Sequence, residues 1–301
     1  MLLSATSLSA QGYDELWKQA DEAARKDLPR KQMEIMEIIV KKAQKGKEYG
    51  QLLKAQLKHA NLQMEISPDS LTPVMERLEK QTLAAEKKDA AYGAVMHTVA
   101  AVAYQNNNAL GDGRDEKAKA HYKKVFQNVK LLAKTPAGRF APLVEKGADS
   151  EIYNHDLLSL LGMCAADHGF WEANRLMHDY YDGEGRRVAA MLLAHKMYED
   201  IDSLIERYKD LPECGYLAEN KIGRIYNTGE KLAYADYALK TWPNYRNANY
   251  FRNLKQRLTC PQYNVYVDRR LSNPSQTCEV KLSNIRNLQW ITMRIWNDKT
   301  K

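Results

Sequence analysis

The hydrophobic period of this chain changes once, near Pro261, and that change constrains what it can fold into more than any other feature. From Tyr13 to Thr259, apolar residues recur at the i, i+3, i+4 spacing of one helix face. Tyr13, Leu16, Trp17, Ala20 and Ala24 make the first such face, and Asp27-Leu28-Pro29 ends it, because a residue before proline is pushed out of the α region. Met33, Met36, Ile39, Val40 and Ala43 make the second, closing at Gly46. Leu52, Leu53, Ala55, Gln56, Leu57 and Ala60 make a third, and after Ser67-Pro68-Asp69-Ser70 a fourth runs through Val74, Leu78 and Leu83. The fifth, Ala90 to Tyr104, is rich in Ala, so its neighbours can approach closely and it is expected at the centre. Further helices are expected over Lys117–Ala133, Asp149–His168, Phe170–Tyr181, Arg186–Tyr198, Ile201–Tyr208, Tyr216–Tyr226, Lys231–Thr241 and Asn247–Leu258.

Beyond Pro261 the alternation is that of strands: Tyr263, Val265 and Val267, then Glu279 to Ser283, then Trp290 to Trp296. Asn273-Pro274 and Asn284 to Asn287 read as turns between them. Three strands cannot bury a sheet face alone. The expected fold is therefore mainly α: an α-solenoid of degenerate tetratricopeptide-like helical pairs, followed by the first strands of an incomplete β-sandwich domain. Its clearest repeat trace is Ile222-Gly223-x-x-Tyr226 followed by Ala235 and Leu239, where small residues mark helix contacts. The expected domains are a secretory-signal remnant at 1–10, a helical scaffold at 11–259 and a truncated β domain at 260–301.

Composition narrows the function classes. The net charge of +7 is dispersed, with Lys41, Lys42, Lys45 and Lys47 followed by Glu48 as a typical solvated face. Arg246, Arg252, Lys255 and Arg257 beside Tyr245, Tyr250 and Phe251 come nearest to a nucleic-acid surface, but no nucleic-acid partner is expected. Cys164, Cys214, Cys260 and Cys278 include no C-x-x-C, and only Cys260 and Cys278, flanking a hairpin, are spaced to pair. Met1 to Ala10 is small, apolar and uncharged, like the tail of a secretory signal with the mature chain starting near Gln11. Export to the periplasm or cell envelope is expected, and no stretch reaches the ~20 apolar residues of a membrane span.

No catalytic, cofactor-binding or metal-binding residues are expected, and the chain does not read as an enzyme. Gly183-Glu184-Gly185 lacks the strand that precedes a phosphate loop. His155, His168 and His178 lack ligand spacing, and Asn106 to Gly113 lacks the acid order of a calcium loop. The expected functional surface is a protein contact formed by Arg224, Tyr226, Tyr234 and Tyr237, residue types suited to interfaces, with no small-molecule substrate.

Several phrases of the sequence share one resemblance. They are Tyr13-Asp14-Glu15-Leu16-Trp17-Lys18, Asp27-Leu28-Pro29, Tyr49-Gly50-Gln51-Leu52-Leu53-Lys54-Ala55, Tyr234 to Lys240 with Trp242-Pro243, and Arg286-Asn287-Leu288. Together they resemble the N-terminal region of the large alpha-2-macroglobulin-like proteins of bacteria of the Bacteroides group. The resemblance implies a helical segment ahead of macroglobulin-like β-sandwich domains in a periplasmic protease inhibitor. Many members of that family react through a Cys-x-Glu-Gln thioester, and no cysteine here has that context. The implied role is a non-catalytic scaffold or interaction module, with any protease met through downstream domains. The alternative is a stand-alone tetratricopeptide-like adaptor for a partner protein or peptide.

Overall fold

A computed structural model describes residues 12–143, 152, 155–267 and 279–294. It is mainly helical with one small antiparallel sheet. By internal contacts the chain divides into two compact units, Met1–Tyr198 and Glu199–Lys301, so the division falls inside the span read as one helical scaffold.

In the first unit α1 (Tyr13–Arg25) and α2 (Pro29–Gly46) pack as a hairpin, and α2 pairs in turn with α3 (Tyr49–Ile66). Leu16, Ala20 and Ala23 of α1 meet Ile35, Met36 and Ile39 of α2 in a core of their own. Ala23 is buried and Ala24 is exposed, one position off the expected stripe. Each fully buried Leu or Ile here stabilises the fold by roughly 1.5–3 kcal/mol relative to exposure. The chain then turns through Pro68–Ser70 into α4 (Leu71–Lys88). Val74 is buried as expected, but Leu83 is 54% exposed, with Thr82 and Ala85 taking the inward positions.

Helix α5 (Ala90–Asn106) is the centre the Ala-rich sequence predicts. Most of its residues are buried on every side, and it packs against α4 before it and α6 (Arg114–Val125) after it. A helix apolar all round has no solvent face to offer. Asp89 caps it, accepting from the Tyr92 amide at 2.8 Å. Gly93 permits the close crossing, since a Cβ there would stand 2.7 Å from Glu86 Cα.

Two expected helices are shorter than read. A 3-10 turn at Phe126–Asn128 separates α6 from α7 (Val129–Lys134), whose Leu131 amide donates to the Asn128 side chain. The Asp149–His168 run is broken by His155, whose φ is +48°, so α8 (Leu157–Asp167) begins from the Asp156 cap. Asp149 to Glu151 lie outside the described residues. Helices α9 (Glu172–Gly183) and α10 (Arg187–Lys196) complete the unit.

The second unit holds α11 (Ile201–Tyr208), α12 (Gly215–Gly223), α13 (Thr228–Thr241) and α14 (Asn249–Thr259), then β1 (Gln262–Val267) and β2 (Val280–Arg286). The strands pair antiparallel, with Val265 opposite Leu282 and Val267 opposite Val280. A register shift between Gln262 and Asn264 leaves an extra residue on β2, where Asn284 takes φ +54°. The asparagine read as a turn is therefore a β-bulge inside the strand. Residues 290–294, expected to begin a third strand, are irregular. Residues 295–296 and the Cys278 half of the expected pairing lie outside the described residues.

Candidate functional site

The four residues expected at a protein contact fall into two environments. Tyr226 is 96% exposed, and Arg224 stands exposed beside it at the α12–α13 turn. Tyr234 and Tyr237 are half-buried in an aromatic stack on α13. Their rings lie 5.6 Å apart, and Tyr237 meets Trp242 edge-on at 5.7 Å. Trp242 is 2% exposed, and its indole N–H donates to the Lys209 carbonyl at 2.9 Å. Lys221 lies 5.0 Å over the Tyr234 ring and Lys209 5.8 Å over that of Tyr237. The Tyr234 hydroxyl is buried without a hydrogen-bond partner, and burial pushes its pKa up. These contacts pin α13 to the helices before it. Tyr234→Ala is accordingly expected to cost about 2 kcal/mol, less than the ~3–5 kcal/mol for a fully buried aromatic because the ring is half-buried, while Tyr226→Ala stays within about 0.5 kcal/mol. Thermal melts of the two variants check this.

A second constellation, which the sequence reading did not single out, lies between α4, α5 and α6. His97 is 5% exposed and His121 9%, and their Nδ1 atoms stand 2.8 Å apart. His121 Nε2 lies 3.1 Å from Glu79 Oε1, which also accepts from the Tyr104 hydroxyl at 2.7 Å. The tautomers follow from these partners. A carboxylate accepts only, so His121 carries its proton on Nε2 and leaves Nδ1 bare. With both rings neutral, His97 then donates from Nδ1 and its Nε2 carries no proton. That Nε2 is buried without a hydrogen bond, 3.6 Å from Glu86 Oε2, while Lys124 stands 3.6 Å from the other Glu86 oxygen. Lys117 lies over the Tyr104 ring.

Burial, and then His121, push His97 below the ordinary histidine value of 6.5, with Glu86 opposing. At Glu79 burial pushes upward, but hydrogen bonds from Tyr104 and His121 outweigh it and hold the carboxyl low. The unfolded chain therefore binds the His97 proton more readily than the folded one. The stability this group contributes is present above about pH 6.5 and is lost as pH falls through its lower folded value, at up to about 1.4 kcal/mol per pH unit. The melting temperature is expected to fall between pH 7 and pH 5, and His97→Gln should flatten that fall.

The third feature is a cleft of about 670 Å³ between the α2–α3 and α4–α5 hairpins. Its walls include Leu57, Met64, Met75, Met96 and Val99, and Cys164 of α8 closes part of the floor. Burial raises the Cys164 thiol above its ordinary pKa, which keeps it protonated and unreactive. Lys41 and Arg77 stand at the rim, one from each hairpin. Convergence of four helices creates this cleft, so no local run of sequence announces it.

Among the described residues, no three His, Cys, Asp or Glu side chains gather as metal ligands would. His168 Nδ1 instead lies 2.8 Å from the Cys164 carbonyl, and His178 pairs with its neighbour Asp179. No described helix is long and apolar enough to cross a membrane. No family model, curated protein or solved structure matches the chain.

Proposed function

We propose that this chain is the non-catalytic helical scaffold of an exported alpha-2-macroglobulin-like protease inhibitor, a degenerate tetratricopeptide-like array that hands over to β-sandwich domains. The supporting observation is the uncovered face of the β1–β2 ribbon. The register puts Val265, Val267, Val280 and Leu282 on one side, with Asn264, Tyr266, Lys281 and Ser283 on the other. Val265 is 51% exposed and Leu282 39%, so among the described residues the apolar side has no second layer such as a sheet requires. A following β-sandwich sheet is the natural cover, and the sequence resemblance points to the same neighbour. The scaffold's part is positioning and protein contact, with Arg224 and Tyr226 as its exposed interface residues.

The test is an immunoblot of periplasmic and cytosolic fractions, using an antibody raised against residues 13–259. A periplasmic species several times the mass of this chain is the expected result. A species of the mass of this chain alone removes the inhibitor reading. That result would favour the stand-alone adaptor, for which the exposed Arg224 and Tyr226 at the α12–α13 turn are the specific support.

A further inference from the structure

We propose that the cleft between the α2–α3 and α4–α5 hairpins is a binding site for one single-chain anionic amphiphile, an unbranched acyl or alkyl tail carrying a carboxylate or phosphate head. This goes beyond the scaffold role and departs from the expectation that the chain takes no small molecule.

The shape comes first. Cleft-lining residues on α3 run from Leu53 to Met64, and those on α5 from Met96 to Asn106. At about 1.5 Å per residue the two stripes span roughly 15–17 Å. The volume of about 670 Å³ lies within the usual range for small-ligand pockets. Three of the wall residues, Met64, Met75 and Met96, have unbranched side chains that adapt to a tail of variable length.

The chemistry of the walls then selects among occupants. They are helices whose backbone groups are already bonded internally, so they offer no ladder to an extended peptide. The cleft also carries Gln56, Asn61, Gln81 and Asn106, which can pair some of a peptide's amides, but those laid against Leu, Met and Val would each cost roughly 1–3 kcal/mol if left unpaired. An alkyl tail has no polar group to strand. The protonated Cys164 thiol offers no nucleophile, so binding is non-covalent.

Charge at the rim selects the head. Glu37 is the one acid among the lining residues, and it faces His59 at 3.7 Å. Lys41 has no carboxylate within ion-pair distance among the described residues, and Arg77 donates to the neutral Gln63 side chain at 2.5 Å. Two exposed cations from opposite hairpins therefore line a largely apolar cleft, the complement of an anionic head on an apolar tail.

Isothermal titration of the full chain with laurate, dodecyl phosphate, dodecanol and dodecylammonium, each below its aggregation limit, tests this. Laurate or dodecyl phosphate is expected to saturate at one per chain, at least tenfold tighter than dodecanol, and whichever binds tighter identifies the head. The double charge reversal Lys41→Glu with Arg77→Glu changes only exposed side chains and should erase that preference. Val99→Trp, which fills the slot, should abolish binding, and Ala60→Phe provides a second filled variant should Val99→Trp fail to fold. Equal affinity for laurate and dodecanol, several sites per chain, or full binding by a folded slot-filled variant would each overturn the proposal.

Discussion

Gly50→Ala should lower the stability of the 12–198 unit by about 3 kcal/mol, the upper end for overpacking a tight site. A Cβ on Gly50 would overlap the carbonyl oxygens of both Phe140 and Ala141, and these are backbone atoms that cannot swing aside. The segment they belong to is fixed from several directions. Phe140 is fully buried, Tyr49 stacks on Tyr92 at 4.3 Å and on Phe140 at 6.4 Å, and Arg139 pairs with Asp89 at 2.5 Å. For a unit of this size the loss corresponds to a fall of about 6–12 °C in melting temperature. Gly138→Ala is the control, since a Cβ there meets nothing within 4 Å. Its melt should match the parent within a degree or two, and equal losses in both variants would refute the steric account.

Asp156→Ala is expected to cost a similar amount, about 3 kcal/mol, whereas Asp156→Asn should retain most of the stability. Asp156 is 3% exposed and holds three groups at once. Its carboxylate accepts from the Ser159 amide at 2.8 Å, capping α8, and from the Tyr181 hydroxyl at 2.9 Å, with Arg186 3.8 Å away. Alanine removes the cap and the carboxylate that the fully buried Tyr181 hydroxyl donates to. Asparagine keeps an acceptor oxygen in place. Burial raises the carboxyl above its ordinary value, against the opposing effects of Ser159, Tyr181 and Arg186. The group therefore contributes most to stability below the ordinary value of 3.8, and that contribution is lost as pH rises through the folded value. The asparagine variant lacks this dependence, so it should compare better with the parent at pH 7 than at pH 4. Paired denaturant titrations at the two pH values would measure the difference, and a reversed order would contradict the assignment.

The helices were legible wherever one face alone is buried, because the 3.6-residue period then appears directly in the sequence. Residues of α2 such as Met36, Ile39 and Ala43 sit where the spacing puts them. The central place of α5 was legible from its small side chains. Single positions at the margin of a stripe were less so: Ala23 and Ala24 carry identical side chains, and only the approach of α2 decides between them. Asn284 was read as part of a turn, and a bulge asks the same positive φ of it as a turn does. The cleft and the His97–His121 pair escaped because both depend on which helices converge. Twenty-four residues separate the two histidines, and no local period links them. Of the four contact residues, Tyr226 is the most exposed.

Most helices of the first unit pack on their neighbours in sequence: α1 on α2, α2 on α3, α4 on α5, α5 on α6, and α9 on α10. Such contacts close short loops and cost little chain entropy, so each hairpin can assemble soon after its second helix is synthesised. The seating of Phe140 and Ala141 against Gly50 is different, because it joins points some ninety residues apart in the chain. That closure must wait until α4, α5 and α6 have been made. Folding of this unit thus has an order written into its connectivity, with the hairpins forming early and the clasp at Gly50 closing late.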